Sequence, residues 1–314
     1  MSAKNNKKES VCVAIVTFNR LPKLKKSLLS ISDQGIKPDC VYVFDNGSNN
    51  DTKQFLKYWK DQTEHFNKYV DFSSENKGGS YGFFKCQEYA VKAGFDWVLL
   101  IDDDAYLEKN YISSLLSFQA LNDVVGICGK VLQLGSFNNS SAKKENNMTQ
   151  RDFKRNLTFE KPDESFQYIE LFSFVGIMLR TAVIKKAGYP DKDMFIWFDD
   201  TEQSLRISKV GKIVCLNSTS VVHDITPTKQ SINWKTYYGV RNNVITFKKH
   251  FPLQLLVVLP LSLLKFSIKF LKNRNCVEYK MRLDGIWDGL TNKKGINKKY
   301  IPNTQTSHIK IDKN

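Results

Sequence analysis

Short apolar runs that end in polar residues recur along the first half of the chain. The runs "VCVAIVTF" at 11–18, "CVYVF" at 40–44 and "WVLLI" at 97–101 carry no charge and are rich in β-branched and aromatic residues. This composition is typical of strands buried on both faces of a parallel sheet. Between the first two runs lies "KLKKSLLSIS" at 23–32, where apolar residues recur at helical spacing. The alternation predicts an α/β fold with a mainly parallel sheet flanked by helices.

The chain divides into two predicted domains. Residues 1–230 carry the alternating strands and helices, so we expect them to form one sheet domain. Residues 231–314 show helical spacing and many lysines and arginines, so we expect a helical, basic C-terminal region. A polar stretch at about 135–165 has little apolar pattern, and it is predicted to be a mobile excursion from the first domain.

Polar residues follow four of the predicted strands, at the point where each strand ends. The carboxyl ends of parallel strands meet at one edge of a sheet, and ligands bind beyond that edge. We therefore expect these residues to line one crevice. They are Thr17, Asn19 and Arg20 after the first strand, Asp45 after the second, Asn76, Gly78 and Gly79 after the third, and Asp102, Asp103 and Asp104 after the fourth.

The three adjacent aspartates repel one another unless a cation lies among them. Alternate residues of an extended segment point the same way, so Asp102 and Asp104 can face one ion. Carboxylate oxygens are ligands that favour Mg²⁺ or Mn²⁺. His223, which ends the later apolar run "SVVH", can complete such a site with its imidazole, although a lone histidine is more often structural. The alternative for the aspartates is a solvated acidic turn with some value as a helix cap.

A second acidic cluster lies in "MFIWFDDTEQSLR" at 194–206. Asp200 stands beside other carboxylates in an aromatic surround, a setting that raises the pKa of a carboxyl group. Such a group suits a general base that takes a proton from a hydroxyl nucleophile, and we predict this role for Asp200. The alternative is an aspartate that caps the N-terminus of the following helix, with Glu202 and Arg206 as an ion pair on that helix.

Three further features point to a ligand with a ribose and phosphates. Asp45 can accept hydrogen bonds from a ribose or a base N–H, although Asn46-Gly47 after it also indicates a simple turn. Gly78 and Gly79 precede a predicted helix, where backbone and helix N-terminus can approach negative charge. In "YYGVRN", Arg241 lies one helical turn after two tyrosines and can stabilise a diphosphate; a solvated surface arginine is the alternative.

Charge and cysteine content narrow the class of protein. The formal net charge of +15 suits a polyanionic partner, which can be nucleic acid, an anionic membrane surface or a phosphate-bearing substrate, and charge alone does not choose among them. The six cysteines form no CxxC pair and have irregular spacing, which favours reduced thiols over a disulfide framework or a zinc site. The N-terminal "MSAKNNKKES" has no apolar core of a signal peptide, so we expect a cytoplasmic protein.

One C-terminal segment is strongly apolar. The run "LQLLVVLPLSLL" at 253–264 is flanked by lysines and is interrupted by Pro260. It is shorter than the roughly 20 residues that span a bilayer. We expect it to lie at a membrane interface, because apolar insertion and attraction of lysine to anionic lipid reinforce each other. Ordinary packing against the sheet domain is the alternative.

In their order along the chain, these motifs resemble family 2 glycosyltransferases of the GT-A (Rossmann-like) fold. The motifs are "AIVTFNR", "VFDNGS", "NKGGSYGF", "LLIDDD", "FDDTE", "VVH" and "YYGVRN". The resemblance implies an inverting enzyme that uses a nucleotide-sugar donor and Mn²⁺ or Mg²⁺. It implies Thr17, Asn19 and Asp45 in the nucleotide pocket and Asp103 near the nucleotide sugar. It further implies Asp102, Asp104 and His223 on the metal and Asp200 as base.

Within that family, the triple aspartate, the glycine turn and the "FDD" pair are similar to galactofuranosyltransferases. The resemblance implies UDP-galactofuranose as donor and a glycan acceptor on a lipid carrier, in synthesis of a bacterial surface polysaccharide. It implies a peripheral position at the inner face of the plasma membrane. The "YYGVRN" element also occurs in rhamnosyltransferases, so dTDP-rhamnose is the alternative donor. Lys77 and Tyr81 depart from the pattern of the similar enzymes and leave the donor sugar open.

Two other functions fit the sequence less well. A sugar-phosphate nucleotidylyltransferase needs a glycine-rich phosphate loop after the first strand, and "VTFNRLPKL" has no glycine. A basic membrane- or nucleic-acid-binding protein predicts carboxylates scattered away from strand ends, contrary to the pattern seen. We therefore expect no nucleic-acid partner.

Overall fold

The computed structural model describes residues 9–118, 123–133, 165–225 and 233–301. Its strands are β1 Val11–Thr17, β2 Cys40–Asp45, β3 Asn67–Phe72, β4 Trp97–Asp102, β5 Ala105–Leu107, β6 Val124–Gln133, β7 Phe166–Ile169, β8 Ile177–Arg180 and β9 Lys212–His223. Its helices are α1 Leu21–Ser32, α2 Asn50–Asp61, α3 Gly79–Lys92, α4 Tyr111–Leu116, α5 Thr181–Ala187, α6 Asp199–Ile207, α7 Lys235–His250, α8 Pro252–Asn273 and α9 Cys276–Leu290, with a 3₁₀ turn at Lys192–Met194. The polar stretch predicted to be mobile lies, up to residue 164, outside the described residues.

The described strands form one sheet that is parallel in its first half. In the order β3-β2-β1-β4, each strand runs parallel to its neighbour. Every residue of β1 and β2 is buried, as expected of strands that are covered on both faces. The predicted α/β fold with a sheet flanked by helices is confirmed.

The second half of the sheet is mixed, which the sequence did not predict. The short strand β8 lies between β4 and β6 and is antiparallel to both. Strand β6 runs parallel to β9, and β9 pairs antiparallel with β5 and β7. The run "KIVCL" at 212–216 and the predicted apolar run "SVVH" at 220–223 join in the single strand β9. An apolar run shows where a strand lies but not which neighbour it takes, because all core strands have similar composition.

Strand register brings the polar strand ends level with one another. Thr17 at the end of β1 pairs with Asp45 at the end of β2. On the other side of β1, Val16 pairs with Asp102 at the end of β4. The predicted convergence of polar residues at this edge of the sheet therefore follows from the register of three neighbouring parallel strands.

The chain forms two compact units. The first comprises residues 1–76, 82–190 and 203–227 and contains the sheet. The second comprises residues 77–81, 191–202 and 228–314. Two short segments from the first 230 residues thus belong to the second unit, and one of them contains Asp200. The domain boundary at about residue 230 remains a prediction.

Three long helices, α7, α8 and α9, make up most of the described part of the second unit. Helix α8 runs without interruption for 22 residues, with Pro260 inside it. The expectation that Pro260 interrupts the apolar run is therefore wrong; this proline withholds one backbone hydrogen bond but does not end the helix. Among the described residues, α8 is the one helix that is long and apolar enough to cross a membrane, with a mean hydropathy of 1.7.

Candidate active site

Two aspartates and a histidine converge at the carboxyl end of β4. Asp102 ends β4, and Asp104 lies directly before β5. Strand β5 pairs antiparallel with β9, and this pairing sets Ala105 opposite His223. One ligand atom from each of Asp102, Asp104 and His223 lies within 4.8 Å of the others. These are the three residues for which the sequence predicts a shared cation.

The histidine is held close to the carboxylates. Its Nε2 lies 3.2 Å from Oδ1 of Asp104 and 4.0 Å from Oδ2 of Asp102. The backbone N–H of Asp224, the next residue, donates to the carbonyl of Asp104 at 2.8 Å. This bond continues the β5–β9 pairing beyond the strand end, so the backbone fixes where His223 stands.

Arg20 explains how three adjacent carboxylates coexist in the first unit. Its NH1 lies 2.7 Å from Oδ2 of Asp104 and 3.2 Å from Oδ1 of Asp103. Asp103 also accepts hydrogen bonds from the Thr17 hydroxyl at 2.8 Å and from the Phe18 backbone N–H at 3.3 Å. Asp103 therefore points away from the Asp102–Asp104–His223 triad, as strand alternation predicts, and is tied to the residues that follow β1.

The three carboxyl groups differ in proton affinity. Burial, reinforced by the charge of Asp104, raises the pKa of Asp102 to about 7. Burial also raises the pKa of Asp103 to about 6, although Arg20 opposes the change. For Asp104, the effect of burial is outweighed by the hydrogen bond to His223 and by the charge of Arg20, so its pKa is lowered. Burial lowers the pKa of His223, but the hydrogen bond to Asp104 and the charges of Asp102 and Asp104 together outweigh it, so this pKa is raised.

This donor set fits a divalent cation. Two carboxylates and an imidazole are ligands that Mn²⁺ accepts and Mg²⁺ tolerates. Oδ1 of Asp104 faces His223 while its Oδ2 is bound by Arg20, so one oxygen of this carboxylate lies on the side of the triad. The raised pKa of Asp102 marks a carboxyl whose proton a cation would displace on binding.

The residues at and after the carboxyl ends of β1 and β2 form a hydrogen-bonded network next to the aspartates. Asp45 is fully buried and accepts two hydrogen bonds from the Ser48 backbone N–H, each at 3.2 Å. Burial raises its pKa in spite of these bonds. Asn19 has a left-handed φ of 56°, and its Oδ1 accepts from the Asn49 backbone N–H at 2.7 Å. The side chain of Asp45 thus closes a local turn, which was the structural alternative, and its ligand role remains a prediction.

The predicted glycine turn is divided between the two units. Asn76 belongs to the first unit, where its Oδ1 accepts a hydrogen bond from the Asn46 side chain at 3.0 Å. Gly78 belongs to the second and has a φ of 88°, and a Cβ there would collide with the carbonyl of Phe195. Among the residues that the structure describes, no atom of another segment lies within 4 Å of the position that a Cβ would take at Gly79, the first residue of α3. The backbone at the start of α3 is therefore open to a close approach.

Asp200 is the second residue of α6 and lies in the second unit. Its Oδ1 accepts hydrogen bonds from the Thr201 backbone N–H at 2.6 Å and from the Thr201 hydroxyl at 3.2 Å. Burial raises the pKa of Asp200 although these bonds oppose it. Asp200 is thus a half-buried carboxylate of raised pKa, and its role as a general base remains a prediction.

Arg241 is 1% exposed, so the alternative of a solvated surface arginine is wrong. Its guanidinium donates to the backbone carbonyls of Gly295 at 2.6 Å and Met194 at 2.9 Å. The role of Arg241 at a diphosphate remains a prediction. The contacts seen bind this side chain to the segment that leads to Asp200.

Sequence reasoning did not identify several residues that shape the site. Lys23 lies 3.9 Å from Oδ2 of Asp104 and also pairs with Asp224, which accepts from the Tyr106 hydroxyl at 2.8 Å. In the second unit, Asn242 and Glu202 make buried contacts described below. Lys23 is the third residue of α1, shortly after β1 ends, so its closeness to a strand end along the chain was a usable signal. No local pattern marks the other contacts, because they depend on tertiary packing.

Comparison with known proteins identifies the family and the fold. The family model for Glycosyl transferase family 2 matches residues 12–187. The galactofuranosyltransferase GlfT1 of Mycolicibacterium smegmatis is 24% identical over 206 residues, which cover 65% of this chain and 67% of that protein. The chain thus spans about two thirds of that relative's length.

Two solved structures share the fold over most of the chain. S. aureus TarS 1–349 in complex with UDP-GlcNAc aligns with a TM-score of 0.61 at 15% identity, covering 90% of this chain and 81% of that one. The mannosyltransferase PcManGT from Pyrobaculum calidifontis, in complex with GDP-Man and Mn²⁺, aligns with a TM-score of 0.57 at 13% identity, covering 92% and 89%.

Proposed function

Because the chain belongs to glycosyl transferase family 2, we propose that it transfers galactofuranose from UDP-galactofuranose to a hydroxyl of a glycan acceptor. The main support for this class of reaction is the convergence of Asp102, Asp104 and His223 at the end of β4. The choice of sugar rests on the similarity to galactofuranosyltransferase GlfT1 and on the motifs shared with such enzymes.

Asp102, Asp104 and His223 hold the metal in this proposal, which is Mn²⁺ or Mg²⁺. When bound, the cation neutralises the diphosphate of the donor and stabilises it as a leaving group. Support comes from the donor set itself and from the raised pKa of Asp102. A solved structure of the same fold is described as a complex with GDP-Man and Mn²⁺.

The nucleotide lies beyond β1 and β2 in this proposal. Asp45 accepts hydrogen bonds from the base or the ribose, while Thr17 and Asn19 line the same pocket. Asp103 lies near the sugar of the nucleotide, where its bonds to Thr17 and Arg20 fix its orientation. Arg20 is half exposed and pairs with Asp103 and Asp104 at this edge, so it also attracts the diphosphate.

Asp200 acts as the general base. It takes the proton of the acceptor hydroxyl as the oxygen forms a bond to the anomeric carbon on the face opposite the leaving UDP, so the configuration inverts. The geometry parallels that of inverting glycosidases, with an alcohol in place of water. The raised pKa of Asp200 supports this role, because a base works best when its pKa is near the working pH.

The acceptor is carried on a lipid, and the enzyme works at the membrane surface. Support comes from the exposed side of α8, where large apolar residues recur every three or four positions. They are Leu253, Leu256, Val257, Leu261, Leu264, Ile268 and Leu271. Lys265, Lys269 and Lys272 are exposed beside this apolar stripe. An apolar stripe flanked by lysines matches a helix that lies in the interface of an anionic bilayer.

Helix α8 lies in the membrane plane in this proposal and does not cross the bilayer. Its other side packs on α7 and α9, and Lys269 pairs with Glu278 of α9 at 2.6 Å. Arg282 pairs with the same carboxylate at 2.6 Å. If α8 spanned the membrane, these charged groups of α9 would enter hydrocarbon, where each costs several kcal/mol.

A donor panel tests the reaction. The chain is incubated with UDP-galactofuranose, other UDP-sugars and dTDP-rhamnose, with Mn²⁺, Mg²⁺ or chelator, and a lipid-linked glycan mimic. We expect metal-dependent turnover of UDP-galactofuranose that Asp200→Asn abolishes while donor binding persists, and that the exposed-residue control Asp193→Asn retains. Turnover of dTDP-rhamnose alone would replace the donor. Calorimetry without metal-dependent binding of any donor would contradict the transferase assignment.

A further inference from the structure

The loop that leads to Asp200 has a strained backbone. Phe195, Trp197 and Phe198 have φ values of 67°, 65° and 68°, in the left-handed region that bulky residues rarely adopt. At Phe195, a ψ of −59° and a hydrogen bond from the Ile196 N–H to the Met194 carbonyl at 2.8 Å make a γ-turn of the rare, strained type. The strained run ends at Phe198, directly before the first residue of α6 and two positions before Asp200.

Strain of this kind persists only where surrounding contacts overdetermine the backbone. One buried side chain supplies three of them. The Nδ2 of Asn242, on α7, donates to the carbonyls of Met194 at 2.9 Å, Ile196 at 2.8 Å and Trp197 at 2.9 Å. Asn242 is fully buried, so water cannot replace these bonds. A single amide thus binds three of the four carbonyls that precede Phe198.

Neighbours of Asn242 hold both the amide and the loop. The Nε of Arg241 donates to Oδ1 of Asn242 at 3.0 Å, which orients the amide so that its N–H groups face the loop. The NH2 of Arg241 donates to the Met194 carbonyl. From the other side, the Ser80 N–H donates to the Phe195 carbonyl at 3.2 Å. All of these residues lie in the second unit.

We propose that Asn242 is a positioning residue that holds the strained 194–198 loop and thereby fixes the start of α6 and the carboxylate of Asp200. The inference rests on the proposed role of Asp200 as base. Without the amide, the carbonyls of Ile196 and Trp197 lose this donor, while that of Met194 keeps its bonds from Arg241 and from the Ile196 N–H. The backbone can then relax out of the left-handed region. Asp200 then moves relative to the acceptor hydroxyl, while the residues of the first unit that bind the nucleotide are untouched.

The adjacent asparagine provides a matched control. Asn243 lies on the same helix, is half-buried and makes none of these loop contacts. Asn242→Asp, Asn242→Ala, Asn243→Asp and Asn243→Ala are compared in the full chain for kcat, for KM of UDP-galactofuranose, for UDP affinity by calorimetry and for thermal unfolding. We expect both Asn242 variants to lower kcat by about 100-fold, the cost of a misplacement of about 1 Å. UDP affinity and donor KM stay at wild-type values, and both Asn243 variants behave as the wild type.

The outcomes separate positioning from a purely structural role. A fall in UDP affinity that accompanies the fall in kcat would mean a general loss of fold and would overturn the proposal. So would an Asn242→Asp variant with wild-type kcat. If Asn242→Asp has no cooperative unfolding transition, it is replaced by Asn242→Ser, which keeps one hydrogen-bond donor. The same four quantities are then measured for that variant. An Asp200→Asn variant that retains full kcat would refute the base, a result independent of whatever Asn242 does.

Discussion

The carboxylate of Glu202 and the imidazole of His250 meet inside the second unit, with Nε2 and Oε1 2.9 Å apart. Glu202 is fully buried and lies two residues after Asp200 on α6, while His250 is the last residue of α7. Lys249 adds an ion pair to the same oxygen at 2.6 Å. The end of α7, from which the apolar helix α8 continues, is therefore bound to the helix that carries Asp200.

Glu202→Gln is expected to destabilise the protein. The change leaves His250 and Lys249 without their charged partner, and removing one member of a buried ion pair typically costs about 3–5 kcal/mol. Because Lys249 is 53% exposed and can turn to solvent, we expect a value near the lower end, about 3 kcal/mol. The measurement is the free energy of unfolding by urea, with the exposed Asp33→Asn as control. An equal stability of both variants would show that the contact contributes nothing.

Features that depend on local pattern were predictable from the sequence, and features that depend on packing were not. Alternation along an extended segment separates Asp102 and Asp104 from Asp103, and the structure has this arrangement. The position of His223 at a strand end was visible, although its pairing with Asp104 required β9 to lie next to β5. Nothing local to Asn242 indicates that its amide bonds to residues more than 40 positions earlier.

The pH dependence of turnover tests Asp200. A general base acts when deprotonated, and burial raises the pKa of Asp200, so activity should fall on the acid side at a higher pH than an ordinary aspartate gives. Thr201 opposes that rise through its hydroxyl at 3.2 Å. Thr201→Ala should therefore move the acid limb of kcat to still higher pH, whereas Thr201→Ser should not. Profiles are recorded at saturating Mn²⁺, so that protons do not compete at Asp102. An acid limb that is the same in all three proteins would contradict this assignment.

Metal affinity tests the triad. Loss of a carboxylate ligand in Asp104→Ala should lower the affinity for Mn²⁺ by about 100-fold or more, since loss of an outer partner alone costs about 10–100-fold. Calorimetry of the UDP complex measures the change, and Asp224→Asn provides the control, because Asp224 contacts Lys23 and Tyr106 but is outside the triad. Wild-type Mn²⁺ affinity in Asp104→Ala would remove this carboxylate from the proposed metal site.

The exposed stripe of α8 should bind anionic membranes. A triple variant Leu253→Ser, Leu264→Ser and Ile268→Ser removes apolar side chains that are 78%, 58% and 57% exposed. Full burial of such a side chain contributes about 1.5 kcal/mol or more, so the partition coefficient should fall by up to roughly 1000-fold. The control replaces Leu29, Ile36 and Ile296 by serine, since these apolar residues are 62%, 41% and 51% exposed on other surfaces.

Flotation of the full chain with lipid vesicles shows whether lipid or a second copy of this chain covers that stripe. Phosphatidylglycerol vesicles should carry the wild type and the control variant to the top of the gradient, and the α8 variant should remain at the bottom. Phosphatidylcholine vesicles should bind weakly, because each lysine near an anionic surface adds about 1 kcal/mol. Binding to phosphatidylglycerol should weaken as salt is raised, since salt screens these exposed charges. If the wild type stays at the bottom with both lipids and sediments as a dimer that the α8 substitutions dissociate, a second copy of this chain covers the stripe, and the proposal of a lipid surface is wrong.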